Sequence, residues 1–237
     1  MKGGVVVILG SAPVARNAAS WSRTRFDTLV AINNAWRIRP DWDVLIHPED
    51  FPPDRHPRTP RPGQRIVTAA DYVPVQNGLG GFVYAGGTMA FTAGYWALGA
   101  LEPRVLAWFG CDMIYPDDGP THFYGTGQPD PLRADISLRD LGAKSARLML
   151  LAAARGCACV NLSTGPSRLV FPRVTLEGLA AARPVRPPPL AVPLAEEARL
   201  GYDTPTGRYW EDAARYDPQA IDALDRLWRA TLEQVIR

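Results

Sequence analysis

The sequence is poor in cysteine and in excess charge. Its 237 residues include three cysteines, and this small, odd number argues against a secreted disulfide framework. We therefore expect a cytoplasmic protein, with a peripheral position at the inner membrane left open. The net charge is only +2, with 26 Lys and Arg against 24 Asp and Glu. That balance disfavours a nucleic-acid partner, which would need a strongly basic surface.

Long apolar runs are also absent. No stretch reaches the roughly 18 apolar residues of a membrane span, so we expect no transmembrane segment. The first apolar run, 5–9, is shorter than the roughly 7–15 residues of a signal-peptide core. It is more typical of a first strand.

Short apolar runs rich in β-branched residues recur along the chain. They lie at 5–9, 28–32, 43–47, 104–110 and 157–162. Because these runs are continuous rather than alternating, they predict strands that are covered on both faces. The expected class is α/β, a Rossmann-like doubly wound and mainly parallel sheet with helices on each side.

Helical segments are predicted at 14–22, 88–100, 137–155 and 217–237. Ser137 is the predicted N-cap of the third, and Gly156 follows its basic last turn. Composition changes near residue 163, so 1–163 is the predicted main domain. Residues 164–237 are predicted to be a proline-rich connector and a helical extension. The apolar stripe of the helix at 217–237 would pack on the domain or on a neighbouring subunit. The second arrangement would give a homo-oligomer.

Ligands of open α/β sheets bind outside the carboxyl ends of the strands. Polar and small residues that follow the predicted strands, or precede the helix at 88–100, are therefore the candidate site residues. They are Gly10, Ser11, Ala12, Asn33, Asn34, His47, Gly86, Gly87, Thr88, Asp112, Tyr115 and His122.

Most of these signals have a structural alternative. "GSAP" (10–13) lacks the G-x-G-x-x-G spacing, and it either receives one phosphate or is a plain turn. "AGGT" (85–88) opens a helix, so it fits an anion or simply close packing. Asn33 and Asn34 could bond sugar hydroxyls or a base edge, or form an Asx-turn. His47 is either a site residue or an exposed loop histidine.

Metal ligation is not expected. Asp41 and Asp43 form a D-x-D pattern, but they precede the third predicted strand, at the end away from the crevice. A "PDDG" turn is enough to explain Asp117 and Asp118. Cys157 and Cys159 have no further zinc ligands nearby and are predicted to be buried small side chains.

Six stretches together resemble the bacterial sialyltransferases of glycosyltransferase family 42 over about residues 4–162. They are "VVILGSAP", "VAINNAW", "DVLIHPEDF", "GGTMAFTAGYWALGA", "VLAWFGCDMIY" and "THFYG". The likeness to 6-hydroxymethylpterin diphosphokinase-like domains is looser. The first resemblance implies a Rossmann-like nucleotide-sugar-binding catalytic domain, a CMP-sialic acid donor, no required metal or other cofactor, and a glycan or small-molecule acceptor.

The resemblance also implies residue roles. Gly10, Ser11, Ala12 and Asn33 would hold the nucleotide, and His47 would lie near the donor sugar. Gly87 and Thr88 match a small-residue turn that meets the sugar carboxylate or the phosphate. Asp112 would lie near the cytosine and ribose. Tyr115 would bond the departing phosphate, and His122 would be the base.

This chemistry suits the residue types. Charge develops on the phosphate as CMP leaves, so a hydroxyl donor such as that of Tyr115 stabilises it without a metal. The acceptor hydroxyl must lose a proton, which a histidine such as His122 can take. Two alternatives stay open. One is Mg²⁺-dependent diphosphoryl transfer to a pterin-type alcohol, with Asp112, Asp117 and Asp118 as candidate ligands. The other is a nucleotide- or glycan-binding module without turnover.

Overall fold

A computed structural model describes residues 3–116, 118–126 and 133–236. The strands form one parallel sheet in the order β4–β3–β2–β1–β5–β6. They are β1 Val5–Leu9, β2 Thr28–Ile32, β3 Val44–Ile46, β4 Arg65–Val67, β5 Val105–Phe109 and β6 Ala158–Asn161. The predicted α/β, Rossmann-like class is confirmed.

The five predicted strands are present, each within one residue of the apolar run that predicted it. β4 was not predicted. It has three residues, lies at the edge of the sheet beside β3, and begins with the exposed Arg65. Because β4 is short and begins with a charged residue, its sequence does not stand out from the turn residues that precede it.

The α-helices of the described chain pack on one face of the sheet. They are α1 Ala69–Asn77, α2 Phe82–Ala85, α3 Met89–Ala100, α4 Leu141–Ala153, α5 Ala191–Leu200 and α6 Pro218–Ile236. Val6 and Ile8 of β1 point into this core, together with Trp96 of α3 and Leu148 of α4. α6 packs on α4 and α5, and every residue of α4 is buried.

The opposite face of the sheet is covered by 3-10 helices instead of α-helices. Val5, Val7 and Leu9 of β1 belong to a second core. The 3-10 helices Pro13–Ser20, Asn33–Arg37 and Glu177–Ala181 contribute to it. The helix predicted at 14–22 is therefore a 3-10 helix that begins at Pro13. The expectation of helices on each side holds with this change.

The helix predicted at 137–155 begins later than expected. Ser137 is not its N-cap, because it lies inside the 3-10 turn Ile136–Leu138. The α-helix starts at Leu141, and the Asp140 carboxylate accepts the N–H of Ala143 at 3.0 Å. Aspartate caps a helix as well as serine does, and Asp140 lies three residues after Ser137. The glycine after the helix, Gly156, has φ +74° as expected.

Residues beyond 163 complete the same two cores. Leu169 and Phe171 pack with the helical face, and Leu179 packs with the other. The predicted apolar stripe of α6 faces α4, with Ile221, Leu224, Trp228 and Leu232 buried. α5 occupies part of the predicted connector. No described helix has the length and the apolar character that crossing a membrane requires.

Candidate functional site

The sheet order reverses between β1 and β5, so the loops leaving these two strands diverge at a topological switch point. The two exits touch. Gly10 donates its N–H to the Phe109 carbonyl at 2.8 Å, and Ala12 donates to the Gly110 carbonyl at 3.1 Å. A Cβ on Gly10 would lie 2.3 Å from the Gly110 oxygen. Glycine is therefore required at position 10 by the neighbouring strand exit.

The loop after β5 folds back onto the turn after β1. His122 and Gly125 form an antiparallel bridge, with N–H···O distances of 2.9 and 3.1 Å. Inside this turn, Phe123 donates its N–H to the Ser11 carbonyl at 2.9 Å. Arg16, from the 3-10 helix that follows, donates to the Phe123 carbonyl. The segment that carries His122 is thus attached to the first strand exit.

Tyr115 and His122 lie beside each other. Their ring centroids are 6.0 Å apart, and both side chains are partly buried. His122 Nδ1 and Thr121 Oγ1 are 2.9 Å apart, and the ring of Tyr124 stacks on His122 at 5.0 Å. The structure therefore brings the predicted base and the predicted phosphate donor together. Asp117, between them in sequence, lies outside the described residues.

Asp112 has protein partners. Its carboxylate is buried and accepts Asn161 Nδ2 at 3.0 Å, and its carbonyl accepts the N–H of Arg168 at 3.0 Å. The neighbouring Met113 has φ +53°, which a residue with a side chain rarely adopts. This conformation turns the chain sharply where it leaves β5. Asp112 thus holds the loop in position as well as being a predicted nucleotide ligand.

The Asn33–Asn34 pair leaves β2 in an unusual arrangement. Asn33 has φ +51°, in the left-handed region that asparagine tolerates better than most residues. Asn34 is 2% exposed. Among the described residues, neither side-chain Oδ1 has a hydrogen-bond partner, although both atoms are buried. A buried acceptor without a partner is costly, so such atoms are candidates for bonding a ligand.

His47 is buried at the exit of β3, so it is not the exposed loop histidine of the structural alternative. Its Nδ1–H donates to the Pro48 carbonyl at 2.9 Å, and its ring centroid lies 4.5 Å from that of His56. Burial lowers the pKa of His47, against the effect of the Pro48 hydrogen bond, and the nearby His56 lowers it further. At neutral pH the ring is uncharged and suits packing better than anion binding.

The turn Gly86–Gly87–Thr88 precedes α3, and its polar groups bond within the protein. Gly87 N–H donates to Ser137 Oγ at 2.9 Å, and Thr88 N–H donates to the Gly86 carbonyl at 2.9 Å. Thr88 Oγ1 accepts the N–H of Phe91 at 3.3 Å and caps the helix. A Cβ on Gly87 would lie 2.2 Å from Tyr209 Oη. Tyr209 therefore gives position 87 a packing reason to be glycine.

A cavity of about 450 Å³ lies beside this turn. Gly87 is the one predicted site residue among its described lining. Other lining residues follow β3 and β4, begin α3, or come from the segment 206–210 in the C-terminal part of the chain. These C-terminal residues were not among the predicted site residues. No local pattern marks "TGRYW", because its partners lie far away along the chain.

One side of the cavity is built by a hydrogen-bonded cluster around Tyr209. Its hydroxyl donates to Asp135 Oδ2 at 2.8 Å and accepts from Arg133 Nη2 at 3.1 Å, and Ser137 Oγ lies 3.1 Å from it. Burial raises the pKa of Tyr209 to about 12. Burial alone would raise the pKa of Asp135, but the bonds from Ser137 and Tyr209 bring it below the usual value. The cluster therefore holds a neutral phenol and a carboxylate.

The described residues contain no group of three or more His, Cys, Asp or Glu side chains arranged to hold a metal ion. Asp41 and Asp43 form ion pairs with Arg39 and Arg23 at the amino ends of the strands. Cys157 and Cys159 are both buried in the helical-face core. Comparisons of the chain with protein-family models, with curated proteins and with solved structures found no match.

Proposed function

We propose that the protein is a metal-independent glycosyltransferase that uses a nucleotide-activated sugar, most simply CMP-sialic acid or a similar CMP-sugar. One observation carries the proposal. The hydrogen bond from Phe123 to Ser11 attaches the His122 turn to the switch point, and Tyr115 lies beside His122. The groups that this chemistry needs, a base and a phosphate hydroxyl donor, are thus adjacent at the edge where α/β sheets bind nucleotides.

In this proposal the nucleotide lies across the ends of β1 and β2. The unpartnered Oδ1 atoms of Asn33 and Asn34 would accept hydrogen bonds from it, since amide oxygens can accept from an exocyclic amine or a ribose hydroxyl. The Tyr115 hydroxyl would donate to the phosphate as the glycosidic C–O bond breaks and CMP departs with the bonding electrons.

His122 would remove the proton of the acceptor hydroxyl as its oxygen bonds to the anomeric carbon. Thr121 Oγ1, 2.9 Å from Nδ1, holds the orientation of the ring. A ring nitrogen of the neutral imidazole would take the proton. General base catalysis of this kind contributes about 10²–10⁴-fold to the rate.

The test combines transfer with donor binding. CMP-sialic acid would be offered with a panel of neutral glycosides, and the thermal shift with CMP would be measured in parallel. We expect His122→Ala to slow transfer by about 10²–10⁴-fold while the CMP shift stays. Tyr115→Phe should also slow transfer. Tyr124→Phe is its matched control, because it removes a hydroxyl from a ring that stacks on the same histidine.

The proposal is overturned if His122→Ala transfers at the parental rate. It also fails if the parent protein neither shifts with CMP nor transfers or hydrolyses the donor. Retention of CMP binding without any turnover would instead identify a binding module. Loss of turnover in a chelator would point to the diphosphoryl-transfer class.

A further inference from the structure

The cavity beside Gly87 has an aromatic wall. Tyr72, Phe82 and Tyr209 are almost completely buried, and Phe82 lies edge-on to Tyr72 and parallel to Tyr209, at centroid distances of 6.3 and 6.4 Å. Trp210 also lines the cavity but is 58% exposed. A large aromatic side chain left exposed on a concave surface is typical of a ligand-binding site.

Charged groups complete the lining. Glu49 and Asp50 follow β3, and Arg208 donates to Glu49 at 3.1 Å. On the cluster side, Arg133 Nε lies 3.0 Å from Asp135 Oδ2. The described lining thus has three carboxylates against two guanidinium groups. The surplus of negative charge disfavours a phosphate or another anion.

The carboxylates of the lining act on Tyr72 of the aromatic wall. Burial raises the pKa of Tyr72 to about 12, and the charges of Glu49 and Asp50 act in the same direction. The carboxylates around the aromatic wall can accept hydrogen bonds from the hydroxyls of a ligand, and the guanidinium groups can donate hydrogen bonds to them. A pyranose ring presents such hydroxyls at its edge and an apolar C–H surface on its face.

The aromatic wall is held in place before any ligand arrives. Tyr209 is fixed by hydrogen bonds to Asp135, Ser137 and Arg133, and Gly87 makes room for its hydroxyl. Ordering these groups therefore costs little on binding. The volume of about 450 Å³ is within the roughly 300–1,000 Å³ of small-ligand sites.

We propose that this cavity binds a neutral pyranoside, the acceptor sugar of the transfer reaction. The role of this sugar as the acceptor rests on the proposed function, whereas sugar binding rests on the cavity itself. Gly87 links the two substrates. It lines the cavity, and the resemblance places it at the sugar carboxylate or the phosphate of the donor.

The experiment measures sugar binding separately from turnover. Titration calorimetry and saturation-transfer NMR would use lactose, maltose and methyl β-galactoside with the full chain. We expect one of them to bind, and Trp210→Ala to weaken that binding about tenfold or more. Glu49→Gln should weaken it as well. Leu194→Ala is the control, because Leu194 is an exposed apolar residue outside this cavity and its loss should change nothing.

Three results would overturn the inference: no binding of any probe to the parent protein, unchanged affinity in Trp210→Ala, or displacement of the sugar by CMP. Failure of the transferase proposal has a different signature. If the protein binds lactose through Trp210 but transfers nothing, the sugar site is supported and the transferase proposal is contradicted. If Trp210→Ala transfers sugar with an unchanged acceptor KM, the sugar site is contradicted and the transferase proposal stands.

Discussion

The Arg147 guanidinium of α4 and the Glu197 carboxylate of α5 form a two-point ion pair inside the protein. Arg147 Nε lies 2.6 Å from Oε1, and Nη2 lies 2.7 Å from Oε2. The Trp228 indole of α6 also donates to Oε1 at 2.8 Å, so three helices meet at one carboxylate. Arg147 is 1% exposed, and its Nη1 donates to Tyr95 at 2.7 Å. The C-terminal helices are thus joined to the sheet domain by a buried charge pair.

Glu197→Gln should destabilise the fold by about 3–5 kcal/mol, because it leaves the buried Arg147 without its counter-charge. Urea unfolding followed by circular dichroism measures the effect. Glu196→Gln is the matched control. It changes the preceding residue of the same helix, whose ion pair with Arg199 is exposed to solvent. Equal unfolding midpoints for the two variants would contradict the structural role of the buried pair.

The second buried pair of this interface predicts a pH dependence. Lys144 Nζ and Asp225 Oδ1 are 2.7 Å apart, and Asp225 Oδ2 has no hydrogen-bond partner within the part of the chain that the structure describes. Burial raises the pKa of Asp225 above its usual 3.8, although the Lys144 charge opposes this. Between the unfolded and the folded pKa the native state holds more protons. The contribution of Asp225 to stability is therefore fully present below pH 3.8 and falls as pH rises.

Asp225→Asn removes this titration. The free energy of unfolding of the variant, relative to the parent, should therefore increase from about pH 4 upward. Denaturant titrations at closely spaced pH values measure the difference, which also cancels the contributions of other acids. A constant difference across the range would show that the Asp225 carboxylate is not shifted.

Substitutions at Asn33 separate the backbone from the amide. Asn33→Ala should destabilise the protein by about 1 kcal/mol, because alanine adopts a positive φ less readily, whereas Asn33→Gly should not. Both variants should bind CMP more weakly if Oδ1 contacts the nucleotide. Urea unfolding and CMP thermal shifts supply the two readouts. Asn33→Gly with the parental CMP shift would exclude the amide as a ligand.

Gly87 has a packing reason and a predicted binding reason, which a pair of variants distinguishes. Gly87→Ala should destabilise by about 1–3 kcal/mol, because the new Cβ would lie 2.2 Å from Tyr209 Oη. Adding Tyr209→Phe removes that oxygen and should recover part of the stability. If transfer also recovers in the double variant, the glycine serves packing; if transfer stays low, the space serves the substrate.

The sheet was predictable because its main strands are local signals. β1, β2 and β5 are continuous apolar runs, and their parallel arrangement follows from burial on both faces. β4 escaped because three residues beginning with Arg65 carry too little pattern. α5 escaped because prolines precede it and Pro193 lies in its first turn, where proline is tolerated.

The interior charges and the cavity were not predictable from local patterns. Lys144 and Arg147 resemble an exposed helix face in the sequence, and their partners lie 81 and 50 residues away. Tyr209 likewise meets Asp135 across 74 residues. By contrast, Tyr115 and His122 are close in sequence, so their proximity could be inferred, and the structure places their rings side by side.

α-Helices cover one face of the sheet and 3-10 helices cover the other, so the two faces should differ in local stability. 3-10 helices have poorer hydrogen-bond geometry than α-helices, so their amide hydrogens should exchange with solvent sooner. Ser11 precedes one of these helices and Asn33 begins another, whereas Gly87 precedes α3 on the α-helical side. Under the proposals above, the donor would therefore bind where the backbone opens most readily.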